Sequence, residues 1–252
     1  MPPKNSETVR IFLNIVIGDQ EEHALLVGNY ERTLEFVNTD GRAYGLPEIK
    51  SLDELDEEQK EMTKELYESN PTFSSKGPIQ LSKPKDLPGG RLVLELFNKD
   101  CPKTSENFRC LCTGERGISK STKKPLHYEG SKFFRIVPDF IVQGGDFTRG
   151  DGSGGDSIYN SKFSDEPAGL KKKFDKKGLL GMANSGKNSN TSQFFLTLTD
   201  DAKKLAKMNG KHVLFGQVVE GLEVLDAINS VESKSDAPTT DIMIVSCGEV
   251  SV

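Results

Sequence analysis

The sequence predicts a mostly β protein, a closed antiparallel barrel of eight strands capped by two helices, with an acidic, α-containing insert. Short runs rich in β-branched and aromatic residues recur along the chain, separated by Gly, Pro, Asn and Asp, as is typical of all-β barrels. Only two short helical patterns occur among these runs. A length of 252 residues suits one large domain, or a domain with an insert.

The first two predicted strands are far apart in the chain. One covers residues 9–17, and the next clear one covers 91–97, after a Pro-Gly-Gly turn. If they pair as a hairpin, the residues between them form a long excursion. We therefore predict a barrel domain over 9–18 and 89–252 with an inserted segment at 19–88. The later predicted elements are a helix from Cys101 to Gly114, strands within 133–147, 178–184, 193–198, 211–219 and 241–247, and a helix over 221–228.

The segment 19–88 differs from the rest in composition. We predict a short strand over 31–38 and an acidic amphipathic helix near 52–69. Ser51 followed by Glu54 has the spacing of a capping box, which marks a helix N-terminus. Two roles stay open: a solvated helix packed by its apolar stripe, or a docking helix for a basic protein partner. The stripe consists of Leu52, Leu55, Met62 and Leu66.

Composition argues against several functional classes. A net charge of −5 disfavours non-specific nucleic-acid binding, which needs a basic face. No run approaches the roughly 18 apolar residues of a membrane helix, and no apolar secretory h-region opens the chain. We expect a monomer in the cytoplasm, with the nucleus also open, and no membrane association.

Cofactor and metal signals are weak. The four cysteines lack CxxC spacing, so we expect no metal site. Residues 150–155 read GDGSGG, which matches GxGxxG formally. No periodic helix follows whose N-terminus could bind a phosphate. Asp151 and Asp156 would also repel a phosphate group. We expect a surface loop there and no cofactor.

Arg135 lies in the most apolar run of the sequence, FFRIVPDFIVQGGDF at 133–147. Arginine is almost never fully buried without a partner. Either the side chain forms an ion pair or reaches water from an edge strand, or it is a donor aimed into an apolar pocket.

Several long motifs together resemble the cyclophilin family of peptidyl-prolyl isomerases. They are FFRIVPDFIVQGGDF, GSGGDSIY, LLGMANSGKNSNTSQFFLTL and GKHVLFGQVVEGLEVLDAI. The resemblance implies the barrel fold and an active face. The implied catalytic residues are Arg135, Phe140, Gln143, Asn184 and His212, and the implied substrate-binding residues are Ile141, Gly152, Ala183, Gln193, Phe195, Met208, Ser185, Ser189 and Thr191.

The resemblance implies an isomerase acting on X–Pro bonds of peptides and proteins. Arg135 would donate to the prolyl nitrogen of the twisted amide, and Gln143 would hold the guanidinium or the substrate carbonyl. The alternative is a non-catalytic module that binds proline peptides while its acidic insert recruits a partner.

Three departures from the family pattern carry expectations. Lys207 stands where the family often has Trp or His, so we expect weakened cyclosporin binding.

The loop 115–130 resembles that of divergent-loop cyclophilins, which implies a redox pair of Cys112 and Cys247; two reduced thiols are the alternative. The resemblance also implies a pocket beside the proline site, and all five positions that line it in the family hold hydroxyl residues here. We therefore expect a narrower, more polar pocket and a changed preference for the substrate residue two before proline. The hydroxyl residues are Ser153, Ser161, Ser185, Ser189 and Thr191.

Overall fold

The computed structural model describes residues 8–250. The chain forms two compact units. The barrel unit comprises Met1–Gly18 and Pro88–Val252, and the intervening unit comprises Asp19–Leu87. Within the described residues, no helix is both long and apolar enough to cross a membrane.

The described part of the barrel unit contains ten strands. The main sheet contains β1 Val9–Ile17, β2 Gly89–Leu96, β3 Phe133–Val137, β4 Ile141–Gly144, β5 Leu179–Met182, β6 Phe194–Thr197, β7 Leu214–Glu220 and β10 Ile242–Glu249, and a separate two-residue pair is formed by β8 Ser233–Lys234 and β9 Ala237–Pro238.

Seven α-helices occur in residues 8–250. They are α1 Gln20–Asn38, α2 Glu57–Ser69 and α3 Pro71–Ser74 in the intervening unit, and α4 Pro102–Thr113, α5 Pro167–Lys171, α6 Ala202–Leu205 and α7 Leu222–Asn229 in the barrel unit. Single 3-10 turns cover Asp40–Tyr44, Leu52–Glu54 and Ala206–Met208.

The eight-stranded sheet is antiparallel throughout and nearly closed. Its strand order is β10-β1-β2-β7-β5-β6-β4-β3. A bridge between Lys132 and Met243 brings the start of β3 to β10 at the other edge. This architecture confirms the predicted mostly β barrel. The longer helices of this unit, α4 and α7, match the two predicted caps.

Alternation along the strands separates the barrel interior from its outer face. Ile136 pairs with Val142, Val142 with Leu196, and Leu196 with Leu180. All four side chains are completely buried and belong to the interior core. Because successive side chains in a strand point to opposite faces, the residues beside this row face outward.

The predicted strand at 31–38 is wrong, because these residues form the second half of α1. The Asp19 carboxylate accepts hydrogen bonds from the backbone N–H groups of Glu21 and Glu22 and so caps the helix. Tyr30, Thr33 and Val37 are buried, and their spacing of three and four residues gives a helical face. Packing on that face outweighs the modest β preference of the local sequence.

The acidic helix begins later than predicted. The capping box of Ser51 and Glu54 closes only the 3-10 turn, and a second box of Asp56 and Gln59 starts α2 at Glu57. Met62 is 39% exposed, so its assignment to the packed stripe is wrong.

The intervening unit has its own aromatic core. The ring of Phe36 lies 5.4 Å from that of Tyr67 and 5.3 Å from that of Phe73, both edge-on. Leu52 and Leu55 are buried beside these rings.

Candidate functional site

A row of cross-strand neighbours lies on the outer face of the sheet and crosses β3, β4, β6 and β5. Arg135 is opposite Gln143, Gln143 is opposite Phe195, and Phe195 is opposite Gly181. Directly opposed residues share a face, so one arginine, one amide and one aromatic ring are presented together. The motifs that carry Arg135, Gln143 and Phe195 lie far apart in sequence and meet through this register.

An apolar cluster surrounds Phe195 on this face. The sequence-predicted residues Phe140, Ile141 and Met208 belong to it and are each less than 10% exposed. Ala183 packs against its margin. The remaining buried members are Phe174, Leu179, Leu205 and Leu214.

His212 lies in the turn before β7, which begins at Leu214 rather than at the predicted residue 211. Its ring meets that of Phe195 edge-on, with centroids 5.4 Å apart. Nδ1 lies 2.9 Å from the Met182 carbonyl oxygen, so Nδ1 carries the proton and donates. Burial lowers the pKa of His212 below its ordinary value, and the ring is therefore neutral at neutral pH.

Gly181 is a site residue that motif reasoning missed. A Cβ there would lie 2.4 Å from Cζ of Phe195 and 2.8 Å from Cζ of Phe174. The absent side chain lets both rings lie over β5. A glycine within an apolar strand is a usual sign of such a close approach, and LLGMAN carried that signal.

The Arg135 guanidinium is held by Asp236 and not by Gln143. One oxygen of Asp236, Oδ2, accepts from Nη2 at 2.8 Å and from Nε at 3.2 Å. Gln143 instead donates to Oε1 of Gln193 at 2.9 Å. The expectation that Gln143 holds the guanidinium is therefore wrong for this structure, because a carboxylate is the stronger acceptor.

Asp236 comes from the turn between β8 and β9. Its φ is +67° and that of Ser235 is +51°, a left-handed conformation that Asp adopts more readily than most residues. Its carbonyl also accepts from the Ile136 backbone N–H at 2.8 Å. A turn is readable in the sequence there, but nothing in it reveals the pairing with Arg135.

Lys207 covers the aromatic surface of the cluster. Its Nζ lies 3.9 Å from the centroid of the Phe140 ring, within the range of a cation–π contact. A cation therefore stands at the margin of the apolar cluster.

A cavity of about 760 Å³ lies beside the cluster. Ala183 lines the cavity and packs against the cluster, and Gln143 lines the cavity and lies opposite Phe195, so the cavity adjoins the apolar cluster. Ser161 does not line it, contrary to prediction, and its carbonyl accepts from the Ser157 hydroxyl. Four of the five residues predicted to line this pocket do so, namely Ser153, Ser185, Ser189 and Thr191. Other predicted site residues in its lining are Gln143, Gly152, Ala183, Asn184 and Gln193.

One loop, 146–155, forms a large part of this cavity wall. Gln193 Nε2 donates to the carbonyls of Gly152 at 2.8 Å and Gly154 at 2.7 Å. Asp146 accepts from the backbone N–H groups of Gly152 and Gly154. Burial raises the pKa of Asp146, but hydrogen bonds, led by the Arg149 N–H, outweigh it and the net shift is downward. Asp146 is thus a second positioning residue that the motifs did not identify.

The remaining predicted site residues are Asn184 and the two cysteines. Asn184 Nδ2 donates to the Lys211 carbonyl at 2.9 Å. Cys112 and Cys247 are both free thiols. Burial, and then a hydrogen bond with Cys247, raise the pKa of Cys112. Disulfide formation between the two stays a prediction.

Glu106, Cys110 and Glu115 bring three potential metal ligands within 4.8 Å of one another. Arg109 binds both carboxylates, at 2.9 Å and 2.7 Å. A protein cation therefore already satisfies this acidic group.

The family is decided by comparison with known proteins. A family model described as cyclophilin-type peptidyl-prolyl cis-trans isomerase/CLD matches residues 81–249. The chain belongs to this cyclophilin-type family. The match leaves out β1, although β1 pairs with both β2 and β10 of the cyclophilin-type barrel.

Gly181→Ala tests how the cyclophilin-type site is built. The added methyl group forces the Phe195 and Phe174 rings to shift, and such overpacking costs about 1–3 kcal/mol of stability. We expect thermal unfolding at a lower temperature and a changed Phe195 ring environment by NMR. Gly28→Ala is the control, since nothing lies within 4 Å of a Cβ there. Unchanged Phe195 resonances in Gly181→Ala would contradict the packing argument.

Proposed function

We propose that this protein catalyses cis–trans isomerisation of X–Pro peptide bonds in peptides and proteins, assisting folding or switching of its clients. The observation that carries the proposal is the row of Arg135, Gln143 and Phe195 beside an apolar cluster. Membership of the isomerase family supports it. The site offers a cation, neutral amides and apolar rings on one surface.

The reaction needs no covalent chemistry. Amide resonance opposes rotation about the X–Pro bond with a barrier of roughly 18–20 kcal/mol. A catalyst must bind the twisted amide more tightly than either planar form. A thousandfold acceleration corresponds to only about 4 kcal/mol. Binding and one well-placed donor are enough.

Arg135 is the proposed donor to the prolyl nitrogen. When the amide twists, the nitrogen lone pair localises and becomes an acceptor. Asp236 occupies the Nε and Nη2 edge of the guanidinium. Within residues 8–250, Nη1 makes no hydrogen bond, so its protons remain for the substrate. Asp236 would fix the guanidinium plane while the opposite edge donates.

The apolar cluster is the proposed site for the proline ring. Phe140, Phe195 and Met208 offer surfaces of suitable size, and Ile141 closes one side. His212, held by the Met182 carbonyl, buttresses Phe195. Asn184 is proposed to pair through its backbone with the substrate main chain, as an added edge strand does.

A non-catalytic module that binds proline peptides is the second candidate. The observation in its favour is the Asp236 carboxylate, which neutralises much of the Arg135 charge. A turnover assay separates the two candidates, because a module binds proline peptides without accelerating their isomerisation.

Arg135→Ala tests the catalytic assignment. Loss of the donor should lower kcat/KM by about 100- to 1,000-fold, as for other electrostatic donors, while the fold survives. The measurement is a protease-coupled proline assay. Arg10→Ala is the control, because Arg10 also pairs with a carboxylate, Glu95, at a similar exposure. An Arg135→Ala variant that keeps most of its rate would sink the assignment.

The pH profile provides a second test. Arginine stays charged at all relevant pH values, and burial lowers the pKa of His212 below its ordinary value, which favours the neutral ring. We therefore expect kcat/KM to be flat from about pH 6 to pH 8, measured with a peptide that has no titrating side chain. A bell-shaped profile in this window would show that a titrating group takes part.

Lys207→Trp tests the proposed weakness of cyclosporin binding. Lys207 places a charge over Phe140, which an apolar macrocycle must displace or desolvate. Replacement by an aromatic residue should tighten cyclosporin binding at least about tenfold, equivalent to 1.4 kcal/mol, by calorimetry. Lys173→Trp, at an exposed position outside the site, is the control. Equal affinities for wild type and Lys207→Trp would rule out this role.

Recruitment of a basic partner by the acidic helix stays a prediction. So do the monomeric state, the cytoplasmic or nuclear location, and the redox pairing of the cysteines.

A further inference from the structure

Three cations line the cavity beside the apolar cluster. Lys124 comes from the connection between α4 and β3, Arg149 and Lys162 come from the connection between β4 and α5, and none of the lining residues is acidic. In the part of the chain that the structure describes, none of the three forms an ion pair. Unpaired cations from two connections therefore give this cavity a positive wall.

Nearby carboxylates do not cancel that charge by direct pairing. Asp146 accepts from backbone N–H groups of its own loop. Asp156 is buried and accepts from the hydroxyls of Ser119 and Ser121. Asp151 accepts from Ser153. Each of these carboxylates therefore accepts hydrogen bonds through at least one oxygen within the loops.

The cavity also offers uncommitted hydroxyls. Ser185 and Thr191 line it, and within residues 8–250 their hydroxyls have no hydrogen-bond partner. A hydroxyl donates readily to a carboxylate or phosphate oxygen, and such charge-assisted bonds are the stronger ones. The walls therefore suit an anionic group better than an apolar or cationic one.

The position of the cavity limits which side chains of a bound peptide reach it. Ala183 lines the cavity and packs against the cluster proposed for the proline ring, and Gln143 lines the cavity and lies opposite Phe195 of that cluster. In an extended peptide, residues two apart point to the same face, about 7 Å from each other. A side chain two residues from the proline therefore lies over the cavity.

We propose that this cavity selects substrates with a negatively charged side chain, a carboxylate or a phosphate, two residues before the proline. This inference rests on the proposed isomerase function. A phosphate carries more charge than a carboxylate at pH 7, so it is the more strongly favoured source.

The test uses the full-length protein and four peptides that differ only two residues before proline, carrying Ala, Lys, Asp or phosphoserine. We expect kcat/KM to rise about threefold to tenfold from Ala to Asp, further for phosphoserine, and to fall for Lys. The preference should shrink at about 1 M salt, where screening is strong. The same four residues placed two positions after proline should give no such order.

The variant Lys124→Gln/Arg149→Gln/Lys162→Gln should lose the charge preference, so that its kcat/KM values for the Asp and Lys peptides become equal. Lys173→Gln, which changes net charge outside the cavity, should keep the preference. Equal rates for Asp and Lys peptides, or a preference that survives the triple variant, would overturn the inference. No turnover with any peptide would instead overturn the isomerase function, so the two failures are distinguishable.

Discussion

The register between β4 and β6 places Gln143 opposite Phe195, and the registers on either side add Arg135 and Gly181 to the same row. Side chains in a strand alternate between faces, so a slip of one residue would turn the whole row into the barrel. The buried row beside it, from Ile136 to Leu180, prevents that slip. Four completely buried aliphatic side chains would have to be exposed to water. The interior packing thus fixes the strand register of the outer site, although the interior side chains do not themselves face a ligand.

The pairing of Arg135 with Asp236 sets the electrostatics of this row. Both side chains are a little over 40% exposed, and an ion pair at such exposure contributes little to stability. The ion pair matters because it orients the guanidinium group of Arg135. A long, flexible side chain gains a fixed plane when one carboxylate oxygen binds two of its donors. Asp236 thereby links the small hairpin of β8 and β9 to the site.

Much of the barrel could be predicted from sequence, because β-branched runs and turn residues report directly on short strands. Within the site, residues carried by long motifs were predictable, since a motif preserves the spacing that the fold requires. Asp236 was not, because its contact depends on a turn meeting β3 about a hundred positions away. Ser161 was assigned to the cavity by position alone, whereas its backbone is bound within its loop.

In the intervening unit, the sequence of residues 31–38 favours a strand, because the helical face of this segment becomes evident only with the aromatic residues against which it packs. The start of α2 was misplaced because two capping boxes follow each other, and sequence does not say which one a longer helix uses.

β1 joins the ends of the barrel unit in space. It pairs with β2 on one side and with β10, at the far end of the sequence, on the other. The Ile17 backbone N–H donates to the Pro88 carbonyl at 2.8 Å, so the chain leaves β1 and returns to β2 at neighbouring points. Entropy of loop closure grows only with the logarithm of loop length, which lets the barrel tolerate a long segment between these strands. During synthesis, however, β1 emerges before the intervening unit and gains β10 as its second neighbour only after the other strands of the sheet have been made. The intervening unit, whose contacts are local, can fold in the meantime, so the barrel closes around β1 after that unit has formed.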